Sequence, residues 1–368
     1  MHIIIGDNYY SGIRDDLIID QTQKNVFERL EQFLYKHKND YKILLISYEL
    51  KDKIEELESN NNDNIQIPII RCIIPEKVLP KIDFKPKIKS KNECIKFEPE
   101  LNKQNYISIV NTIKDHIQKG DIYETNFCYN WGSKQIINDT YSIFKKLNTL
   151  TKAPFSVYAE IDDHVIISAS PERFLKKEGN KLITQPIKGT SKRGTNKKED
   201  IKLINQLKNN HKENTENIMI VDLVRNDLSK IAAENSVNVD ELCKVYTFEN
   251  IHQMISTVSC YIDNKITISE IIKSLFPMGS MTGVPKIRAM KLMEKYESSK
   301  RGLYSGSIGV IQPNGDFDFN VVIRTMIYNK ANHYLSFKVG SAITINSDPE
   351  KEYEETLIKA EALLKACN

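Results

Sequence analysis

The sequence has no C-x-x-C pair, no phosphate-loop spacing and no apolar run near the roughly 20 residues that a membrane span needs. Its six cysteines (Cys72, Cys94, Cys128, Cys243, Cys260 and Cys367) are scattered, which argues against a zinc site and a disulfide framework. The N-terminus, Met1 to Asp7, lacks a basic start followed by an apolar stretch of signal length. Charge of one sign is missing too. Lys and Arg number 52 against 49 Asp and Glu, a net of +3 without the localised basic excess of a nucleic-acid binder. These absences predict a cytoplasmic, reducing setting, with neither membrane nor nucleic acid as partner. What is present is an ordinary globular composition over 368 residues, 40% hydrophobic and 27% charged, enough for a large core.

Ile43 to Tyr48 and Ile65 to Ile74 read as strands, the second interrupted by Pro68 and so expected at a sheet edge. Glu55 to Asn64 reads as a surface loop. Pro75 to Glu100 holds four prolines and many lysines, and is expected to link a short N-terminal part to the main body. The predicted division is therefore 1–100 and 101–368. Beyond it, Tyr106, Val110, Ile113 and Ile117 recur at helical spacing, with Gly120 as the stop. Phe155 to Ile161, His164 to Ala169 and Lys181 to Gln185 read as strands joined by tight turns. Helices are predicted over Lys212 to Leu228 and Pro349 to Ala366, and strands over Tyr304 to Ile311, Phe319 to Tyr328 and Tyr334 to Val339. Hairpin-linked strands among long helices indicate an antiparallel α+β architecture.

Two helices carry paired carboxylates. Glu213 and Glu216 share a face that continues into Ile220 and Leu223; Glu352, Glu355 and Lys359 share a face with Leu363. Buried carboxylates are costly unless paired or metal-bound, so four of them on inward faces offer an oxygen-only site of the kind magnesium favours. Charged i, i+3 pairs are equally commonplace on exposed helices. Lys188, after Pro186 and before Gly189, is presented at a strand end; if desolvated, its amine would lose its proton more readily and become a nucleophile. Glu172, in Ser170-Pro171-Glu172-Arg173, puts a carboxyl inside an apolar hairpin, where it could hold a proton as a general acid or pair with Arg173. Gly279 to Lys286 precedes a helix whose first amides could receive a carboxylate. Arg324 lies within an apolar strand, and Tyr304 could add a hydroxyl.

From about Tyr106 onward these segments, in this order, resemble the chorismate-utilising enzymes: anthranilate synthase component I, aminodeoxychorismate synthase component I, isochorismate synthase and salicylate synthase. The matching pieces are Ser170 to Glu172, Pro186 to Thr190, Glu213 to Asp227, Gly279 to Lys286, Tyr304 to Gly309, Ile323 to Thr325 and Glu352 to Lys359. The resemblance implies two antiparallel sheets packed face to face with helices outside. It implies Mg2+ held mainly by Glu216 and Glu355, with Glu213 and Glu352 beside them. It further implies Tyr304 and Arg324 on the enolpyruvyl carboxylate, and Thr190, Thr282, Gly340 and Lys359 among the substrate contacts. Glu172 is implied as the acid that protonates the departing C4 hydroxyl.

Lysine at position 188 is what one large group of aminodeoxychorismate synthases carries where anthranilate synthases carry alanine. The implied course is attack of Lys188 on C2 of chorismate, then entry of ammonia at C4. The ammonia is expected from a separate glutamine amidotransferase subunit, and pyruvate elimination from another enzyme. Glu124 stands where isochorismate and salicylate synthases have a lysine base. Gln253 stands where many members have histidine, with His252 one place earlier, and the Gly-rich carboxylate-binding strand end reads Gly340-Ser341-Ala342-Ile343, with one glycine replaced. No tryptophan-pocket signature is found before Leu101. Anthranilate synthase component I is the nearest rival; a non-catalytic regulatory relative and nucleic-acid binding through Lys81 to Lys96 are more distant ones.

Overall fold

Alternate residues of the strand Lys42–Ile46 enter two different cores, because side chains on a strand point to opposite faces in turn. Ile43 and Leu45 join Ile3, Val157, Ala159, Ile166, Ile308 and Ile327 in one cluster. Leu44 and Ile46 face the other way, onto Leu30, Phe33, Val221 and Ile272 of the helices. After Lys42 the strand is apolar, Ile43 to Ile46, since both faces are covered. In the computed structural model, which describes residues 1–55, 57–86 and 93–368, this pattern runs across two ten-stranded antiparallel sheets packed face to face with helices on both outer sides.

The first sheet runs, in spatial order, Gly283–Val284, Glu124–Lys134, Tyr334–Thr344, Thr325–Asn329, His164–Ser170, Phe155–Ile161, His2–Ile5, Asn8–Ser11 and Lys77–Pro80, with Glu98–Pro99 added on Glu124–Lys134. The second runs Ile187–Lys192, Ile251–Tyr261, Lys181–Gln185, Arg173–Glu178, Phe317–Asn320, Ser307–Ile311, Lys42–Ile46, Ile70–Ile74 and Asp15–Ile19, with Asn238–Thr247 also on Ile251–Tyr261. The first hundred residues thus extend both sheets. Part of the expected linker, residues 87–92, lies outside the described residues. The strand after Pro68 is not at an edge: Ile70–Ile74 pairs with Asp15–Ile19 on one side and Lys42–Ile46 on the other. Pro68 precedes the paired segment, so it removes no ladder hydrogen bond.

The expected strand Phe319 to Tyr328 is in fact two strands in different sheets, Phe317–Asn320 and Thr325–Asn329. Between them the chain crosses from sheet to sheet, and Arg324 takes φ 53° in the left-handed region. Glu172 sits at a matching crossing, between His164–Ser170 and Arg173–Glu178, and not inside a hairpin. The two crossings are bonded to each other, Val321 N–H to Glu172 O at 3.0 Å and Ala169 N–H to Arg324 O at 3.1 Å.

Two helices from opposite outer layers complete the frame. His211–Ser229 packs Ile220, Val221, Val224 and Leu228 on the second sheet, and its start is fixed by the Asn210 side chain accepting from Glu213 N–H. Pro349–Cys367 packs Ala360, Leu363 and Ala366 on the first, with Asp348 as its cap and Pro349 in the first turn. Among the described residues no helix is long and apolar enough to cross a membrane.

Candidate functional site

Lys188 lies at a bulge. The register of Ile187–Lys192 against Ile251–Tyr261 shifts between Ile187 and Thr190, and Gly189 takes φ 86°. A bulge re-aims the side chains it carries. Here it turns Lys188 toward the first sheet, where Nζ donates to Glu124 Oε1 at 2.8 Å. The lysine side chain is 12% exposed and that of Glu124 2%. Glu124 is itself pinned between Val284 and Thr344 on neighbouring strands.

Burial alone would drive the Lys188 ammonium toward the neutral amine. The carboxylates of Glu124, Glu216 and Glu172 outweigh it and hold the group above the ordinary lysine value. The expectation that desolvation frees this amine of its proton is therefore corrected: three acidic neighbours keep it charged. Glu172 is shifted in the direction expected of an acid. Burial pushes its carboxyl up to about 7 against the opposing pull of the Ser280 hydroxyl and Lys188. Arg173 does not pair with it, because that guanidinium is engaged by Asp318 and Gln185.

The four glutamates of the two helices converge on the same region. Glu216 and Glu352 are buried; Glu213 and Glu355 are half-buried. A Cβ added at Gly189 would stand 3.1 Å from Glu213 Oε2, so that carboxylate adjoins the Lys188 bend. Lys212 Nζ bridges the helices, 2.8 Å from Glu352 Oε1 and 3.8 Å from Glu216 Oε1. Burial raises Glu216 to about 7 and also raises Glu213. Glu355 goes the other way: burial would lift it, but Lys359, 2.6 Å away, more than offsets this.

The residues fit a hard divalent cation. Glu216 Oε1 and Glu352 Oε2 are buried oxygens without a hydrogen-bond partner, a costly arrangement that a cation would relieve. The donors are all carboxylate oxygens, as Mg2+ prefers. Among the described residues no three candidate ligands yet stand close enough to hold an ion, since lysines occupy the spaces between them.

A second group of expected residues lies alongside. Arg324 Nη1 donates to Lys359 O at 2.9 Å, and Lys359 Nζ donates to Gly340 O at 2.8 Å. Gly340 has no room for a side chain: a Cβ there would come within 2.5 Å of Phe127 O. Tyr304 is buried, and its phenol is raised by burial while Arg324 pulls in the opposite direction.

Two expected substrate contacts are not drawn into these groups. Thr190 is exposed, paired across the strands with Gln253. Thr282 is buried with its hydroxyl turned onto Met278 O and Gly279 O of its own turn. Lys286, at the end of that turn, pairs with Asp227. His252 is fully buried between Asp200 and Thr247, tying the stretch after the Lys188 strand to the sheet. Reading the sequence left out Lys212, whose one signal was its i, i+4 spacing to Glu216, and Ser280. Glu124 stood out only as a lysine that was missing, and its pairing with Lys188 had no local signal at all.

The family model for chorismate binding enzymes matches residues 25–365. Over 273 residues, 73% of this chain, the sequence is 38% identical to the probable chloroplastic aminodeoxychorismate synthase of Oryza sativa subsp. japonica, covering 30% of that protein. Over 267 residues, 72% of this chain, it is 37% identical to the anthranilate synthase component I-like protein of Synechocystis, covering 54% of it. The matched stretch thus spans about a third to a half of these relatives' lengths. Anthranilate synthase component I from Streptococcus pneumoniae superposes with a TM-score of 0.84 at 22% identity, over 99% of this chain and 92% of that one, and so shares the fold. With the two-sheet sandwich, the helix-borne glutamates and a family match over nearly its full length, this chain belongs to the chorismate binding enzyme family.

Proposed function

We propose that the chain aminates chorismate to 4-amino-4-deoxychorismate, on the p-aminobenzoate and folate route, through a covalent bond to Lys188. The observation that carries this reading is the place of Lys188: a lysine bent into an acidic, largely buried site, 2.8 Å from Glu124 and under the field of Glu216 and Glu172. A lysine held there purely for stability would be an expensive choice, because a buried ion pair gains little over an apolar one.

In this reading Lys188 passes a proton to Glu124 and its nitrogen attacks C2 of chorismate. Both conjugated ring double bonds shift, from C1=C2 and C5=C6 to C6=C1 and C4=C5, and the C4 hydroxyl leaves as water with the proton of Glu172. Ammonia then bonds to C4 and gives a proton back to Glu172, both double bonds return, and the C2–nitrogen bond breaks, restoring the amine. Covalent catalysis divides one difficult substitution into two easier ones. Arg324 and Lys359 supply cationic charge for the substrate's carboxylates. Glu216 and Glu355, with Glu213 and Glu352, would hold Mg2+, whose chemistry is to neutralise and orient a ring carboxylate. The ammonia is assigned to a separate glutamine amidotransferase subunit.

The second reading is anthranilate synthase component I, favoured by the Synechocystis relative. Incubation of purified chain with chorismate, Mg2+ and ammonium decides between them. A product that becomes p-aminobenzoate only after a lyase is added supports the proposal. Direct release of fluorescent anthranilate supports the rival.

A further inference from the structure

Lys212 is the most exposed of the three lysines in the acidic cluster, ahead of Lys359 and Lys188. Its side chain is 39% exposed, whereas its partners Glu352 and Glu216 are 2% and 8% exposed. The ammonium donates to Glu352 Oε1 and lies 3.8 Å from Glu216 Oε1, leaving Glu352 Oε2 and Glu216 Oε1 without hydrogen-bond partners. A long flexible stem can return its ammonium to water at little cost. The two buried carboxylates cannot follow it, and without a counter-ion they would be left as uncompensated charge. Lys359 differs, for its ammonium is also anchored on Gly340 O of the neighbouring strand.

We propose that Lys212 is the built-in counter-ion of the metal-free site, bridging Glu216 and Glu352 until a divalent cation displaces it into solvent. This rests on the reading that those glutamates are cation ligands. One ammonium supplies one charge and three donors to two carboxylates. A divalent ion supplies two charges and takes oxygen donors directly, so it can relieve both orphaned oxygens at once. The competition keeps the ligands compact and partly compensated while no cation is bound, and it sets a ceiling on metal affinity. Lys212 is in this sense a positioning residue.

The test is Mn2+ binding followed by electron paramagnetic resonance, with Mg2+ as competitor, on the full chain without substrate. Thermal denaturation with and without Mg2+ accompanies it. Lys212→Met is expected to bind Mn2+ about tenfold more tightly, the scale of one charge-assisted hydrogen bond no longer given up. It should also melt lower without metal and gain more from Mg2+. Lys212→Arg, a stronger bidentate competitor, is expected to bind Mn2+ more weakly than wild type, which keeps the idea testable should the Met variant not fold. Unchanged or weakened Mn2+ binding in Lys212→Met, or unchanged binding in Lys212→Arg, overturns the proposal. Failure of the wild type to bind Mn2+ would instead sink the metal site itself, and the counter-ion role with it.

Discussion

Lys188, on the edge strand of the second sheet, and Glu124, on the strand next to the edge of the first, are 64 residues apart in the chain and joined by a 2.8 Å hydrogen bond. The bond gives the lysine a partner able to take its proton, and it explains why a nearly buried ammonium is retained.

Glu124→Gln should therefore act on Lys188 first. With its hydrogen-bonded carboxylate gone, the ammonium releases its proton at lower pH. An amine-reactive reagent should then label Lys188 at lower pH than in wild type. Turnover should fall by about a hundredfold, since the proton acceptor is lost. An unchanged labelling profile would mean that the pair does not hold the proton.

Glu172 makes a prediction about pH. Its carboxyl, raised to about 7 by burial, must be protonated to donate. Because Lys188 hands its proton to Glu124 within the pair, it adds no ionisation near neutrality. The value of kcat/KM should consequently fall about tenfold per pH unit above 7, as for a single acid lost. A profile level from pH 6 to 9 would take the acid role away from Glu172.

Glu216 links metal and stability. Its folded-state value of about 7 lies above the ordinary carboxylate value of 4.5. Between those two pH values the unfolded chain ionises while the folded chain keeps its proton. The folded state is therefore progressively disfavoured as pH rises, by up to about 3 kcal/mol, and the loss levels off above pH 7. Glu216→Gln should lessen that decline in Tm, which the raised carboxyls of Glu172 and Glu49 share, and abolish stabilisation by Mg2+ in the same experiment. A mutant with the full wild-type decline and an unchanged Mg2+ response would show that the carboxylate is neither strained nor a ligand.

The helices were legible because their signals are local. Asn210 and Asp348 cap helices whose inward stripes repeat at helical spacing, and both helices lie within two residues of expectation. Two long strands, Glu124–Lys134 and Ile251–Tyr261, were hidden by polar residues on faces that the fold nonetheless buries, such as Asn130, Gln253 and Ser256. The change of sheet at Val321 to Arg324 has no pattern of its own, since Val321, Val322 and Ile323 are β-branched and read as the interior of one strand. The motifs named the site, but the charge state of Lys188 depends on Glu124, Glu172 and Glu216 arriving from other elements. Local sequence carries no record of such encounters.

The covalent role of Lys188 is the claim on which the rest depends, and intact-protein mass spectrometry tests it most directly. Wild type mixed with chorismate and Mg2+, without any source of ammonia, should gain the mass of chorismate less one water. Digestion should place the adduct on Lys188, and Lys188→Ala should show neither the adduct nor amination while keeping its fold. Amination at the wild-type rate by Lys188→Ala would contradict the account.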